Sequence, residues 1–414
     1  MNLADVRDRV AHDDTGKWDR VIERDELRLQ DGRLRLPRSW QTDGVAGATS
    51  ATATGATARG LKLTDWATAQ MCQKLGIPTA YFRRCPAPLQ DAQINHWLHR
   101  SAEIEGEEPA RQTQQEPQQH RHASVTERQW LVRVKADTAR GILSERYTRL
   151  NNADVLECLG PVLAQTPFQV GWFAVTDESL HLRLFDPRLS REVLPGDRVV
   201  AGLHIGNSEV GKRAITVDAL VYRLVCKNGL VRLVKGKSLL HHRHLGFGKG
   251  ELQVCLDTAM RDALVQSSGF MERLDQATRE FVPDVEKALA AIADEANLSE
   301  ATTQKVKTAL GQERHSQRDT LYGLVNALTF TAQSLAPDDR YTLETAAGRL
   351  LESGLPRRAS EGANAPAERF APSGMATATL PSLTASARDS IRATNGGLNR
   401  DNGHGNGLSL FGKE

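Results

Sequence analysis

The chain has 414 residues, 40% hydrophobic and 25% charged, with a formal net charge of only +2. That length allows a sizeable core, the balance is that of an ordinary globular protein, and the near-neutral total excludes a uniformly basic or acidic chain. The 5% aromatic share is low and predicts stretches that do not pack tightly.

Five cysteines, Cys72, Cys85, Cys158, Cys226 and Cys255, stand apart with no C-x-x-C pair. The pattern argues against a disulfide framework and a zinc ribbon, and fits a reducing cytoplasm. The opening MNLADVRDRVAHDDTGKWDR is charged throughout and lacks the apolar stretch of a secretory signal. No run of about 18 apolar residues predicts a membrane span. A cytoplasmic protein is expected.

In chain order, residues 1–60 form an N-terminal segment ending in TDGVAGATSATATGATARG (42–60), whose Gly, Ala, Ser and Thr predict a flexible linker. LTDWATAQMCQKLGIP then carries a helix signature. Thr64 suits the N-cap, apolar residues recur at helical spacing, Gly76 suits the C-cap and Pro78 stops the helix. A second helix is expected over 89–99. EIEGEEPARQTQQEPQQHRHAS (103–124) is polar and reads as a loop insertion. WLVRVKAD, GILSERYTRL, FQVGWFAVTDESLHLRLF and RVVAGLHI alternate and are rich in β-branched residues, which predicts strands. After Gly250 the apolar spacing becomes helical as far as 353. From 354 to 414 Pro, Ala, Ser, Gly and Asn dominate, predicting a disordered tail, whose closing LSLFGKE is a candidate docking peptide. The class is therefore α+β: a single core over 61–353 with a central, mostly antiparallel sheet flanked by N-terminal and C-terminal helices.

AGLHIGNSEVGKRAIT has the G-x-x-x-x-G-K spacing of a phosphate loop at Gly206, Gly211 and Lys212. Arg213 replaces the magnesium-binding hydroxyl, and AITVDALVYRLV reads as a strand where a helix is required. The expectation is a strand, a glycine-bounded turn and a second strand, followed by a hairpin at Asn228-Gly229, with no ATP site and no cofactor. Asn207, Ser208, Glu209 and Lys212 form a compact polar group that could serve an enzyme; turn chemistry explains them more simply.

Charge is concentrated here. Residues 198–250 hold ten basic residues against Glu209 and Asp218, a net +8. Lys212, Arg213, Arg223, Lys227, Arg232, Lys235, Lys237 and Arg243 are candidate phosphate contacts if the sheet gathers them on one face. Tyr147, Tyr222 and Phe247 are candidate stacking partners for bases. The run LLHHRHLGFG invites a metal reading with Cys226 or Cys255 as a thiolate, but three histidines in four residues rarely all turn toward one ion and the C-x-x-C or H-x-x-x-H spacing is missing. No G-x-S-x-G nucleophile motif is present.

MCQKLGIPTAYFRRCP followed by NHWL, LSERYTRLNNADVL, IGNSEVGKRAITVDALVYRLVCKNGLV, and LVNALTFTAQSLAPDDRYTLETAAGRLL, in that order, resemble the phage- and plasmid-borne domain of unknown function family 932. The similarity extends over about 61–351. Relatives carry small or polar residues where Lys212 and Arg213 stand, and a threonine at the place of Lys227. The resemblance implies a mobile genetic element in a bacterial cytoplasm and implies no catalytic residues. Two partner classes follow. One is nucleic acid, single-stranded DNA above all, gripped or annealed in replication or recombination, with a homo-oligomer as a possible form. The other is a host protein bound by an anti-defence or anti-restriction protein through its tail and insertions.

Overall fold

The computed structural model describes residues 2–37, 59–99, 128–164, 166–224, 229–232, 238–246 and 248–355. Helix α1 (Leu3–Asp14) opens on a reciprocal cap in which Asn2 accepts from the Asp5 N–H and Asp5 accepts from the Asn2 N–H, satisfying donors that a helix start leaves free. Strand β1 (Lys17–Glu23) pairs antiparallel along its whole length with β5 (Gln129–Lys135). β2 (Arg28–Gln30) and β3 (Arg33–Arg35) form a small separate hairpin. β4 (Lys62–Leu63) lies parallel to β6 (Thr138–Ser144), giving a four-stranded sheet in the order β1-β5-β6-β4.

Three helices follow β4: α2 (Asp65–Lys74), α3 (Thr79–Phe82) and α4 (Ala87–His99). The α2 start is the one the sequence marks, with Thr64 Oγ1 accepting from the Ala67 N–H at 3.1 Å. Its end is marked by Gly76 at φ +68°, where a glycine avoids the Cβ penalty. Met71, Cys72, Ile94 and Leu98 from α2 and α4 bury against Trp130, Val132, Val134 and Ile142.

After α5 (Asn152–Ala164) comes a six-stranded sheet built from β7 (Gln169–Val175), β8 (Leu180–Leu194), β9 (Asp197–Asn207), β10 (Ile215–Arg223), β11 (Gly229–Arg232) and β12 (Leu240–His242). Its order is β11-β10-β9-β8-β7, with β12 also on β10, and every pairing is antiparallel. Alternation splits its faces. Leu182, Leu184, Leu203, Ile205, Ile215 and Val217 pack on α5 and the long α6 (Lys249–Ala277). The opposite face carries His181, Arg183, His204 and Asp218, all buried.

α7 (Val285–Glu295), α8 (Glu300–Gly311), α9 (Leu321–Ala332) and α10 (Pro337–Ser353) complete the described chain. α9 is buried throughout 321–329. Leu343, Ala347, Leu350 and Leu351 of α10 join the same apolar core as α9, while Tyr341 packs with Val200, Leu220 and Tyr222 of the second sheet.

The class is α+β and the sheets are antiparallel but for the β4–β6 pair. Among the described residues the strands form a four-stranded, a six-stranded and a two-stranded sheet. The region before residue 60, set apart as an N-terminal segment, contributes α1 and β1 to the fold. The hairpin at Asn228-Gly229 also differs. Tyr222 pairs with Gly229, so Gly229 lies in a strand and the connection is longer than a two-residue turn. A Cβ on Gly229 would stand 2.9 Å from Arg183 Nη1, so the glycine leaves space for that side chain. Most of the 42–60 linker, all of the 103–124 insertion and the tail beyond 355 lie outside the described residues. No described helix is long and apolar enough to cross a membrane.

Candidate functional site: a carboxylate clamp, a polar array and two arginine-bearing loops

The turn between β9 and β10 is built from the inside. Asn207 Nδ2 donates to Asn152 Oδ1 at 2.9 Å, and Asn207 Oδ1 lies 2.8 Å from His244 Nε2. Ser208 Oγ donates to the Glu178 carbonyl at 2.6 Å and accepts from the Lys212 N–H at 2.9 Å. Glu209, only 2% exposed, accepts from the Asn152 N–H, Arg140 Nη2 and Lys17 Nζ, each at 2.9 Å. Burial alone would raise its pKa, but Lys17 and Arg140 outweigh that and hold it down at about 2. Lys17 and Arg140 belong to the first sheet and Asn152 opens α5, so this carboxylate clamps the two halves together. A phosphate loop is ruled out: the Lys212 N–H is taken by Ser208, and strand β10 follows where a helix N-terminus would be needed.

On the polar face of the second sheet an array of side chains runs from α10 into the interior. Asp338 Oδ1 is 2.9 Å from His181 Nε2, His181 Nδ1 is 3.1 Å from His204 Nε2, and His204 Nδ1 is 3.2 Å from Asp218 Oδ2. Tyr341 Oη donates to the same Asp218 oxygen at 3.0 Å. Beside the array, Arg183 makes a two-pronged contact with Glu344, Arg340 Nε reaches Glu344 at 3.0 Å, and both guanidiniums lie over the Trp172 ring. Burial pushes the His181 pKa down to about 4, that of His204 well below its ordinary value, and that of Asp218 up to about 6. For Asp338 burial acts upward, yet hydrogen bonds from His181 and Lys212 keep it below the usual carboxylate range.

The candidate phosphate contacts are dispersed. Lys212 and Arg213 come together, the first paired with Glu178 and Asp338 and the second stacked 4.4 Å over Tyr341 with Asp338 at 3.7 Å. Arg223 lies elsewhere, in a two-pronged pair with Asp197 at 2.6 Å. Arg232 pairs with Glu352 and donates to the Gln266 carbonyl at 2.8 Å. A cation paired in this way adds little to the outward field. Lys227, Lys235 and Lys237 lie outside the described residues, as does Phe247. Tyr222 is buried and stacked on Phe185. Tyr147 stacks on His244, 5.0 Å between centroids, and its hydroxyl donates to the Ser208 carbonyl.

Arg243 is exposed, and the fold supplies neighbours that the charge count passed over. Tyr147 bridges Leu245, the Thr148 N–H donates to the His244 carbonyl at 2.8 Å, and the Gly246 N–H donates to Thr148 Oγ1 at 2.9 Å. The loop after β6 therefore lies along the loop after β12; Arg146 and Arg149 are exposed on the first and Arg243 on the second. Among the described residues no carboxylate pairs with these three. Arg146 and Arg149 stand far from the basic region in sequence; the only signal was LSERYTRL itself, and the loop pairing that gives it meaning is tertiary.

A family model described as a domain of unknown function (DUF932) matches residues 139–353. The chain belongs to the DUF932 family. No curated protein matches it, and no solved structure does. The DUF932 span runs from β6 to the end of α10 and takes in the polar array, the three arginines and Glu209. It leaves out Lys17, which comes from β1.

Proposed function

We propose that this DUF932 chain binds nucleic acid, single-stranded DNA by preference, as a grip or annealing factor in replication or recombination, with Arg146, Arg149 and Arg243 contacting phosphates. The observation that carries this reading is that two adjoining loops carry three exposed arginines with no carboxylate partner among the described residues. Unpaired guanidiniums are free to take phosphate oxygens without giving up an existing contact. The three arginines sit on loops and not on a helix that could enter a duplex groove, which favours a flexible single strand. Glu145 stands among the arginines and moderates the local charge, so modest affinity is expected.

Fluorescence-anisotropy titration against single-stranded and duplex oligonucleotides at several salt concentrations tests the reading. Three phosphate contacts on a single strand give a slope of log affinity against log salt of about −2, whereas all eight candidates named from sequence would give about −6. Combined replacement of Arg146, Arg149 and Arg243 by glutamine should abolish measurable binding, and each single replacement should lower the salt slope by just under one. Absence of binding by the unaltered protein at low salt overturns the proposal.

A further inference from the structure

The polar array has more order than a cluster of buried side chains requires. Each contact in a chain of hydrogen bonds needs one proton, and the donors must point the same way along it. Asp338 anchors one end as an acceptor, because Lys212 Nζ at 3.0 Å and Ser179 Oγ at 3.1 Å both donate to it. His181 must then donate from Nε2 to Asp338 and accept at Nδ1. As a neutral imidazole His204 donates from Nε2 and so accepts at Nδ1; an imidazolium donating from both nitrogens to an Asp218 carboxylate is opposed by its complete burial beside Arg213, Arg183 and Arg340. The atom facing His204 Nδ1 is Asp218 Oδ2, 3.2 Å away, and it can donate only as a carboxylic acid. Tyr341 fills its remaining lone pair. Four contacts hold four protons: one each from Tyr341, Asp218, His204 and His181.

The surroundings support neutral partners. Arg213 Nη1 lies 3.1 Å from both ring nitrogens of His181, which opposes a positive charge on that ring. Arg183, Arg340 and Glu344 satisfy one another beside the array, and Lys212 is occupied by Glu178 and Asp338. Asp218 Oδ1 is buried with no partner at hydrogen-bond distance, a far smaller penalty for an acid carbonyl than for a carboxylate oxygen; burial favours the acid and outweighs Ser238, Tyr341 and Arg213, which favour the carboxylate.

We infer that Asp218 is held as the neutral acid and completes a one-proton latch, Tyr341–Asp218–His204–His181–Asp338, which fastens the first turns of α10 to the second sheet and opens when that proton is lost. With three protons for four contacts, every rearrangement of the histidine tautomers leaves one pair of lone pairs face to face. Only Asp338 and Tyr341 at the ends of the array belong to α10, so the strain of a missing proton is relieved by lifting that helix segment. This inference is independent of nucleic-acid binding.

Hydrogen exchange read by mass spectrometry over residues 337–345, corrected for the intrinsic pH dependence of exchange, tests it at about pH 5 and about pH 8. Protection in the unaltered protein is expected to fall by about ten- to hundredfold at the higher pH. Asp218→Asn, whose amide N–H replaces the acid O–H, is expected to keep its protection at both. Unchanged protection in the unaltered protein, or an equal loss in Asp218→Asn, overturns the latch. Infrared difference spectroscopy on the unaltered protein gives a test that needs no variant to fold. A protonated-carboxyl C=O band present at the lower pH and gone at the higher is expected, and absence of the band at the lower pH refutes the inference.

Discussion

Gly348 of α10 lies against the backbone carbonyl of Val231 in β11, so close that a Cβ built on the glycine overlaps the Val231 oxygen. Alanine is ordinarily the better helix residue by about 1 kcal/mol. Here the close approach of helix and strand outweighs propensity, because neither backbone can yield without disturbing the β10–β11 pairing. Gly348→Ala is expected to destabilise the fold by about 1–3 kcal/mol, read as a lower urea midpoint with an unchanged slope. A stabilised variant would mean that α10 moves freely over β11.

Glu209 gives a larger effect. Glu209→Gln leaves the buried Arg140 without its counter-charge, while Lys17 keeps Asp13 and Asp14 at 2.7 Å, and breaking such a buried pair costs about 3–5 kcal/mol. Because the folded pKa is lowered from 4.5 to about 2, the carboxylate's contribution is fully present above pH 4.5 and is lost as pH falls through about 2. The difference in unfolding free energy between the unaltered chain and Glu209→Gln should therefore be constant near neutrality and shrink in acid. A difference independent of pH would refute this account of the clamp.

The buried histidines set a second pH dependence. His181 and His244 are pushed down from 6.5 to about 4, and His204 lies well below 6.5. Each binds its proton more readily in the unfolded chain, so its contribution is full above pH 6.5 and fades as pH falls through the folded value. Asp218, raised from 3.8 to about 6, acts oppositely: its contribution is full below pH 3.8 and is lost as pH rises through about 6. Three histidines oppose one carboxyl, so stability by denaturant titration should rise between about pH 4 and pH 6.5. In Asp218→Asn that rise should be steeper. A flat profile would contradict the burial of the imidazoles.

Arg223 separates architecture from binding. It pairs with Asp197, which is 2% exposed and also accepts from the Tyr322 hydroxyl. Arg223→Ala should lower stability by about 3 kcal/mol while leaving oligonucleotide affinity within about twofold at fixed salt. Arg149→Gln should do the reverse. Loss of binding in Arg223→Ala with its fold intact would restore that residue to the phosphate surface.

The sequence carried the local rules well. Thr64 and Gly76 bracket α2 because caps and left-handed backbone are chemical properties of single residues. The strands on either side of IGNSEVGKR were visible in alternation alone, and so was the failure of the phosphate loop. The second face of the β8–β10 region was not visible. HLRLF and ITVDALV place polar residues on alternate positions, which is how a half-solvated sheet reads. What covers those positions is α10, more than a hundred residues further on, with Asp338, Arg340, Tyr341 and Glu344 matched to them by hydrogen bonds. Charge counting met the same barrier: Arg223 and Arg232 look available until Asp197 and Glu352 are brought to them by folding.

The position of Lys17 bears on how this protein can be divided. The family span begins at residue 139, inside β6, whereas β5 and β1 of the same sheet and the ammonium that balances Glu209 all precede it. A truncation made at that boundary would expose the open edge of β6 to any passing strand and leave Arg140 as the nearest counter-charge to Glu209. The family span is thus a portion of this fold, and a fragment that keeps Lys17 on Glu209 and the sheet order β1-β5-β6 must begin before β1.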